Sequence, residues 1–377
     1  MTESSKYLVV GAGLAGAAAA WKLAAAGHEV TILERDEPAS HRGSSHGSAR
    51  IFRYAYADEF YARSVAESRT LWNELEQLHG ADLIDPVGAV DHGTHRDPEQ
   101  LARVLVAVGV EHNLLTADQA RQRWPQIQFE SRVLWQPGAG VIDAEGSVNA
   151  MVAQARKHGA RLLTDWTVAS VQERSHGYRL VRDNGETFDA ENVVIAAGGW
   201  LPQLLGQLPL PSGFLAGIPK FTVRQEQVFH FHYREANKTR QAWPTFIHNN
   251  GNIEVYGLPG GRDAGFDGQK VAEYNGGRII PSAADQTGVV DPANRERVVD
   301  YVRMNLPGLD PEPYAETTCL FTNTPNEDFV IDRAGGLTIV SPCSGHGAKF
   351  APLIGEWAAG LATGTRDVPA RFRAATL

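Results

Sequence analysis

Near the start of the chain, Gly11-Ala12-Gly13-Leu14-Ala15-Gly16 has the spacing of a turn that can hold a dinucleotide pyrophosphate. The tight turn at Gly11, the close backbone approach at Gly13 and the close helix packing at Gly16 each need a residue without a side chain. The helix that follows offers free N–H groups and a partial positive charge to phosphate. Glu34, at the end of the next strand, can accept ribose hydroxyls and repels a 2′-phosphate. A second group, Arg42 to Tyr56, is Gly/Ser-rich and then basic, and contains Ser45, His46, Arg50 and Arg53. Small residues let backbone reach a planar ring, and cations stabilise negative charge on it. Lys270, Lys349 and Cys319 stand in no such local pattern. Taken singly, each reads as a surface lysine or a small buried hydrophobe.

The elements around the glycine motif form a complete βαβ unit. Tyr7 to Val10 is an apolar strand, Leu14 to Ala26 an Ala-rich helix closed by Gly27, and Glu29 to Leu33 a second strand. This commits the start of the chain to a parallel sheet with a right-handed crossover. Ser64 to His79 reads as an amphipathic helix with Ser64 and Glu67 spaced as a capping box. Val148 to His158 reads as another helix. A hairpin is expected over Thr167 to Glu173 and Tyr178 to Arg182, closed around Asp183, Asn184 and Gly185. Between Thr222 and Tyr256 the residues alternate in the manner of exposed antiparallel strands. The implied fold is α/β: a dinucleotide-binding unit (1–80, 143–221 and 319–377) interleaved with an antiparallel-sheet unit (81–142 and 222–318) whose class is α+β.

Length and composition fit a globular enzyme. The chain has 377 residues, 43% of them hydrophobic, and no low-complexity run. A net charge of -9 without a basic block argues against nucleic acid as a partner. The two cysteines, Cys319 and Cys343, form neither a CxxC pair nor a metal-spaced cluster, so a disulfide framework and a structural zinc are not expected. The apolar stretch Leu8 to Trp21 is too short to span a bilayer. A cleavable leader would have no use for its three glycines. A cytoplasmic monomer with no membrane partner is expected.

Arg42 to Tyr56 closely resembles the corresponding segment of the monomeric sarcosine oxidase and N-methyltryptophan oxidase family, within the D-amino-acid-oxidase-like flavoproteins. So do Cys319-Leu320-Phe321-Thr322-Asn323-Thr324-Pro325 and Ser344-Gly345-His346-Gly347-Ala348-Lys349-Phe350. Val193 to Trp200 resembles the second dinucleotide fingerprint of such proteins, which favours FAD over NAD. The resemblance implies a Rossmann-like FAD-binding domain and FAD joined through sulfur to Cys319. Cofactor contacts are implied for Glu34, Arg35, Ser45, His46, Arg50, Val171, Gly345, Gly347 and Lys349 beside the three motif glycines. It further implies that Arg53 and Lys349 hold a substrate carboxylate and that Lys270 activates oxygen. Tyr256 resembles an active-site tyrosine. Tyr274 stands where sarcosine oxidase has histidine, and the loop Gly260 to Gly268 is longer and carries Arg262, Asp263 and Asp267.

The expected reaction is oxidation of a CH–N bond in an amino acid, probable N-substitution included, to an imine that hydrolyses, while oxygen yields hydrogen peroxide. Two alternatives share the scaffold. A fructosyl-amino-acid oxidase would use Arg262 and Asp263 toward a polyol. A primary-amine oxidase or dehydrogenase would differ in substrate or in electron acceptor.

Overall fold

The computed structural model of the protein describes residues 3–234 and 243–374. The strand Glu3–Val10 pairs in parallel with Val30–Leu33, and the helix Leu14–Ala25 connects them. Gly27 ends that connection at φ +82°, a left-handed geometry that a Cβ would strain. On its other side Glu3–Val10 pairs in parallel with Thr187–Ile195, whose end pairs onward with Leu337–Ser341. Arg161–Leu163 extends the sheet beyond Val30–Leu33. Five parallel strands thus form the centre of an eight-stranded sheet, with antiparallel additions at 168–182 and Val330–Ala334. The helices Leu14–Ala25, Ala144–Lys157 and Ala351–Thr363 bury their small and apolar residues in one core against it. This is the Rossmann-like unit expected from the glycine motif.

A second sheet has nine strands. Thr222–Tyr233 lies next to its edge, paired with the long edge strand Leu309–Asn323 on one side and with Gly268–Glu273 and Arg278–Ile280 on the other. Glu254–Pro259, Thr245–Asn249 and Ala89–His92 continue the sheet, the last pair being parallel within an otherwise antiparallel arrangement. The expected exposure of the strands after Thr222 is not found. Thr222–Tyr233 is buried along most of its length, because it is paired on both sides and covered by the helix Pro292–Asn305. Residues 235–242 of that stretch lie outside the described residues.

Leu309–Asn323 carries Cys319 opposite Glu226 in an antiparallel ladder whose register is continuous from Thr222 to His230 and shifts beyond it. A division at residue 319 therefore falls inside a strand, and the chain leaves this sheet only after Asn323. Pro311 and Pro313 hide the strand in the sequence, yet an edge strand tolerates them. Three local expectations shift for similar reasons. The helix Glu59–His79 starts before Ser64 and is capped by Asp58, which accepts from Phe60 N at 2.9 Å, while Ser64 Oγ donates to Phe60 O. The helix Ala144–Lys157 starts before Val148 and is capped by Asp143. The turn at 183–185 joins Gly177–Arg182 to Thr187–Ile195, and the earlier hairpin closes at 175–176. Among the described residues no helix is long and apolar enough to cross a membrane.

Candidate active site

A cavity of about 1000 Å³ runs from the first βαβ turn to the second sheet. At one end the three glycines act as their spacing requires. A Cβ on Gly11, at φ +100°, would sit 2.5 Å from Ala196 O, and one on Gly16 would lie 1.9 Å from Gly11 O. Gly13 is open toward the cavity, where a Cβ would approach Ser45 Oγ at 2.9 Å. Ser45 Oγ in turn accepts from Leu14 N at 3.0 Å, capping the helix start. Glu34 accepts from Ala12 N at 2.5 Å and from Asp36 N at 3.1 Å, and burial raises its carboxyl above the usual range despite these bonds. Arg35 lies over the Trp200 ring at 4.6 Å and walls the same end. A turn kept open by glycine, a helix N-terminus and a carboxylate beside it fit the pyrophosphate and ribose of a dinucleotide.

Val171 does not belong to this wall. A register shift between Val168 and Ser170 turns it into the core beneath the strand, and Thr167, Val168 and Ala169 line the cavity instead.

At the other end Arg50, Tyr256, Lys270, Tyr274, Cys319, Gly345 and Gly347 converge. Arg50 donates to Ala49 O and Ser44 O, both at 2.9 Å, which holds the Gly/Ser-rich segment together, and Ser44 Oγ donates to Leu320 O at 2.8 Å, which ties that segment to the second sheet. Lys270 is buried in its strand and donates to Ala49 O at 3.3 Å. Burial and the neighbouring Arg50 charge push its ammonium down to about 8, with Cys319 and Asp263 acting in the opposite sense. Burial pushes the Cys319 thiol up, against the pull of Arg50 and Lys270. His46 faces a different space, a second cavity of about 520 Å³ behind Arg50, Lys270 and Cys319. Burial, then the charges of Arg50 and Lys270, hold its imidazole at about 3, and it is neutral there.

Arg53 and Lys349 also line the main cavity. Arg53 comes from the segment after the strand Arg50–Phe52, stacks on the Tyr56 ring at 4.8 Å and donates to Ala55 O. Lys349 sits in a short helical turn whose backbone is anchored by Ser68 Oγ and Trp72 Nε1, both donating to Lys349 O. Its Nζ donates to His346 O at 2.8 Å and to Tyr56 OH at 3.1 Å. The hydrogen directions follow from the partners. His346 Nε2 meets Glu327 O at 2.9 Å and must donate to it, so Nδ1 accepts from Tyr56 OH at 3.0 Å. Burial and the Lys349 charge keep this imidazole at about 3, neutral as that tautomer demands. Lys349 uses two of its three N–H bonds in this chain, and one remains for a ligand.

Tyr56 and His346 stand inside the basic and C-terminal segments, yet nothing in their spacing marks them as a relay. Arg96, Glu254 and Glu327 also line the cavity, and their polar loop or strand surroundings carry no distinguishing pattern. Arg262 and Asp263 have structural partners. Arg262 pairs with Asp143, and Asp263 accepts from Ser48 N at 2.9 Å and from Ser48 Oγ. Neither lines the main cavity, which removes the polyol argument built on them.

Residues 6–361 match the family model of FAD dependent oxidoreductases. The chain is 31% identical to the peroxisomal sarcosine oxidase of Homo sapiens over 369 residues, covering 93% of this chain and 90% of that protein. It is also 31% identical to the monomeric sarcosine oxidase of Streptomyces avermitilis, over 98% of this chain and 96% of that one. Among solved structures, a mutant of NikD, described as an unusual amino acid oxidase essential for nikkomycin biosynthesis, superposes with a TM-score of 0.85 at 24% identity. The match covers 100% of this chain and 98% of that one, and at this identity it speaks for the fold.

Proposed function

The chain belongs to the FAD-dependent oxidoreductase family, and within it we propose that this enzyme oxidises the CH–N bond of an N-substituted amino acid, with oxygen as acceptor. One observation carries the reading: Arg53 and Lys349, from opposite ends of the sequence, converge on the cavity that also receives Cys319 and Lys270. A guanidinium fork and an ammonium with one free N–H suit a carboxylate and fix the α-carbon beside it. Sarcosine, the substrate in the names of the two relatives, is such an amino acid.

The residues divide the work. Gly11, Gly13, Gly16, Ser45, Glu34 and Arg35 would hold the pyrophosphate and ribose of FAD, Arg50, Gly345 and Gly347 would hold its ring end, and Cys319 would anchor it through sulfur. FAD, when bound, supplies the two-electron acceptor for the substrate C–H bond. Arg53 and Lys349 bind and orient the carboxylate. Tyr56 OH and the His346 carbonyl oxygen accept from the Lys349 ammonium and hold it in place, and Tyr56 can do so because its own hydrogen goes to His346 Nδ1. Tyr256 and Tyr274 wall the site, and Tyr274 donates to Glu327 at 2.9 Å. Lys270 places a positive charge where oxygen gains negative charge. The product imine is released to water, and hydrogen peroxide forms. On this reading the enzyme is a cytoplasmic monomer whose only partners are substrate and oxygen.

Anaerobic mixing with a panel of secondary, primary and glycated amino acids, and with matching decarboxylated amines, tests this directly. Bleaching of the flavin by secondary amino acids, followed by peroxide on admitting air, is the expected result. Bleaching by glycated amino acids alone would establish the fructosyl alternative, and slow reoxidation in air would make the enzyme a dehydrogenase.

A further inference from the structure

Away from both cavities, the strands Ala89–His92 and Thr245–Asn249 run in parallel and place His92 directly opposite His248 on one face of the sheet. Both imidazoles are buried, at 0% and 1% exposure. The two histidines are not equally satisfied. His248 meets Tyr301 OH through Nδ1 at 2.8 Å and Glu130 Oε1 through Nε2 at 2.7 Å. Neither ring nitrogen of His92 has a hydrogen-bond partner among the described residues. A buried donor and acceptor left unmade cost about 1–3 kcal/mol each, so an arrangement that keeps them calls for a ligand.

One donor atom from each of His92, His248 and Glu130 lies within 4.8 Å of the other two. We propose that these three residues bind a divalent transition metal ion, zinc by preference, at a site separate from the flavin cavity. Two imidazoles and one carboxylate are borderline donors that suit zinc, and they are too few in oxygen for calcium or magnesium. Glu130, 41% exposed at its side chain, gives the ion a way in and leaves room for water as fourth ligand.

The surrounding groups support the ligand chemistry. His92 has no partner on either ring nitrogen among the described residues, so a lone pair is free to ligate. For His248 Nε2 to ligate, its proton moves to Nδ1, which then donates to the Tyr301 oxygen that it already meets at 2.8 Å. Such an outer hydrogen bond orients a ligating histidine. The rings now lie face to face, 4.3 Å apart at 9°. Lone pairs in parallel planes cannot meet one ion at about 2.0–2.1 Å, so loading opens the stack.

The test uses the flavin-loaded enzyme, stripped with chelator, exposed to zinc and passed through a desalting column before metal analysis. One zinc per chain is expected, and cobalt should give tetrahedral ligand-field bands beyond the flavin absorption. Glu130→Gln lies at the surface and should weaken zinc, measured by competition with a chromophoric chelator, by about tenfold or more. His92→Phe keeps the ring stack and should abolish the cobalt bands. Substoichiometric zinc in the wild type, or unchanged affinity in Glu130→Gln, would overturn the site; the second result would assign the binding to other histidines among the thirteen.

Discussion

Gln136 donates from its side-chain amide to Asp91 at 2.7 Å, which leaves the amide oxygen to accept from both Tyr54 N and Ala55 N at 2.8 and 2.9 Å. Asp91 is itself held by Arg96 Nε at 2.8 Å. This buried chain fixes the backbone immediately after Arg53, and Arg53 donates to Ala55 O in the same turn. Under the proposed function Gln136 is a positioning residue for Arg53. Gln136→Met should raise KM for a carboxylate substrate by roughly tenfold, in keeping with two lost hydrogen bonds of about 1 kcal/mol each, and leave a decarboxylated amine nearly unaffected. Arg53→Met should show the same pattern at roughly ten- to a hundredfold, since a charge-assisted bond is worth about 1.5–3 kcal/mol. Equal losses on both amines would place Gln136 and Arg53 in the fold rather than in recognition.

Lys270 should govern the reaction with oxygen and not substrate oxidation. Lys270→Met is expected to slow reoxidation, followed by stopped-flow absorbance, by orders of magnitude, while anaerobic reduction stays within a few-fold. Its ammonium titrates at about 8. The protonated form is the useful one, so wild-type reoxidation should slow as pH rises through that value, and the variant should lose the dependence. A pH profile shared by both proteins would assign the effect to another group.

Cys319 should retain the flavin through acid precipitation and unfolding. Cys319→Ala should release it to the supernatant while still folding, because the glycine turn, Ser45 and Glu34 hold the other end. Free flavin from the wild-type protein would end the covalent assignment.

Glu226 is 1% exposed, receives Gly277 N at 3.1 Å, and burial raises its carboxyl to about 7. A group raised in the folded state favours folding below its unfolded value, near 4.5, and loses that benefit as pH climbs through 7. At pH 8 the wild type therefore carries a buried charge that Glu226→Gln lacks. The variant should gain on the order of 2 kcal/mol there, about 2–5 °C in Tm, and the gain should vanish toward pH 4. A constant difference across this range would refute the ionisation argument.

How far the site could be read from sequence depended on whether function was written in adjacent residues. The turn at Gly11 to Gly16 and the strand to Glu34 are local, and each glycine meets a backbone contact that its spacing anticipates. Arg53, Lys270, Cys319 and Lys349 were legible through segments resembling a family. Gln136 and Asp91 were not, because Gln136 reaches Asp91 across 45 residues and Tyr54 across 82, and a buried Gln has no pattern of its own. Val171 failed for a related reason: a bulge three residues earlier changes which side chains face inward, and bulges leave little trace in alternation. Pro311 and Pro313 concealed an edge strand that pairing with Thr222–Tyr233 sustains.

The order in which the walls of the cavity occur along the chain has a consequence for biosynthesis. The strands around the glycine turn are all made by Ile195, but their sheet and core are completed only by Leu337–Ser341 and the helix Ala351–Thr363. The residues at the reactive end arrive much later, Cys319 on the strand Leu309–Asn323 and Lys349 just before the last long helix. Both ends of the cavity are thus completed by the same late stretch of chain, and neither wall can be finished before the ribosome has passed it.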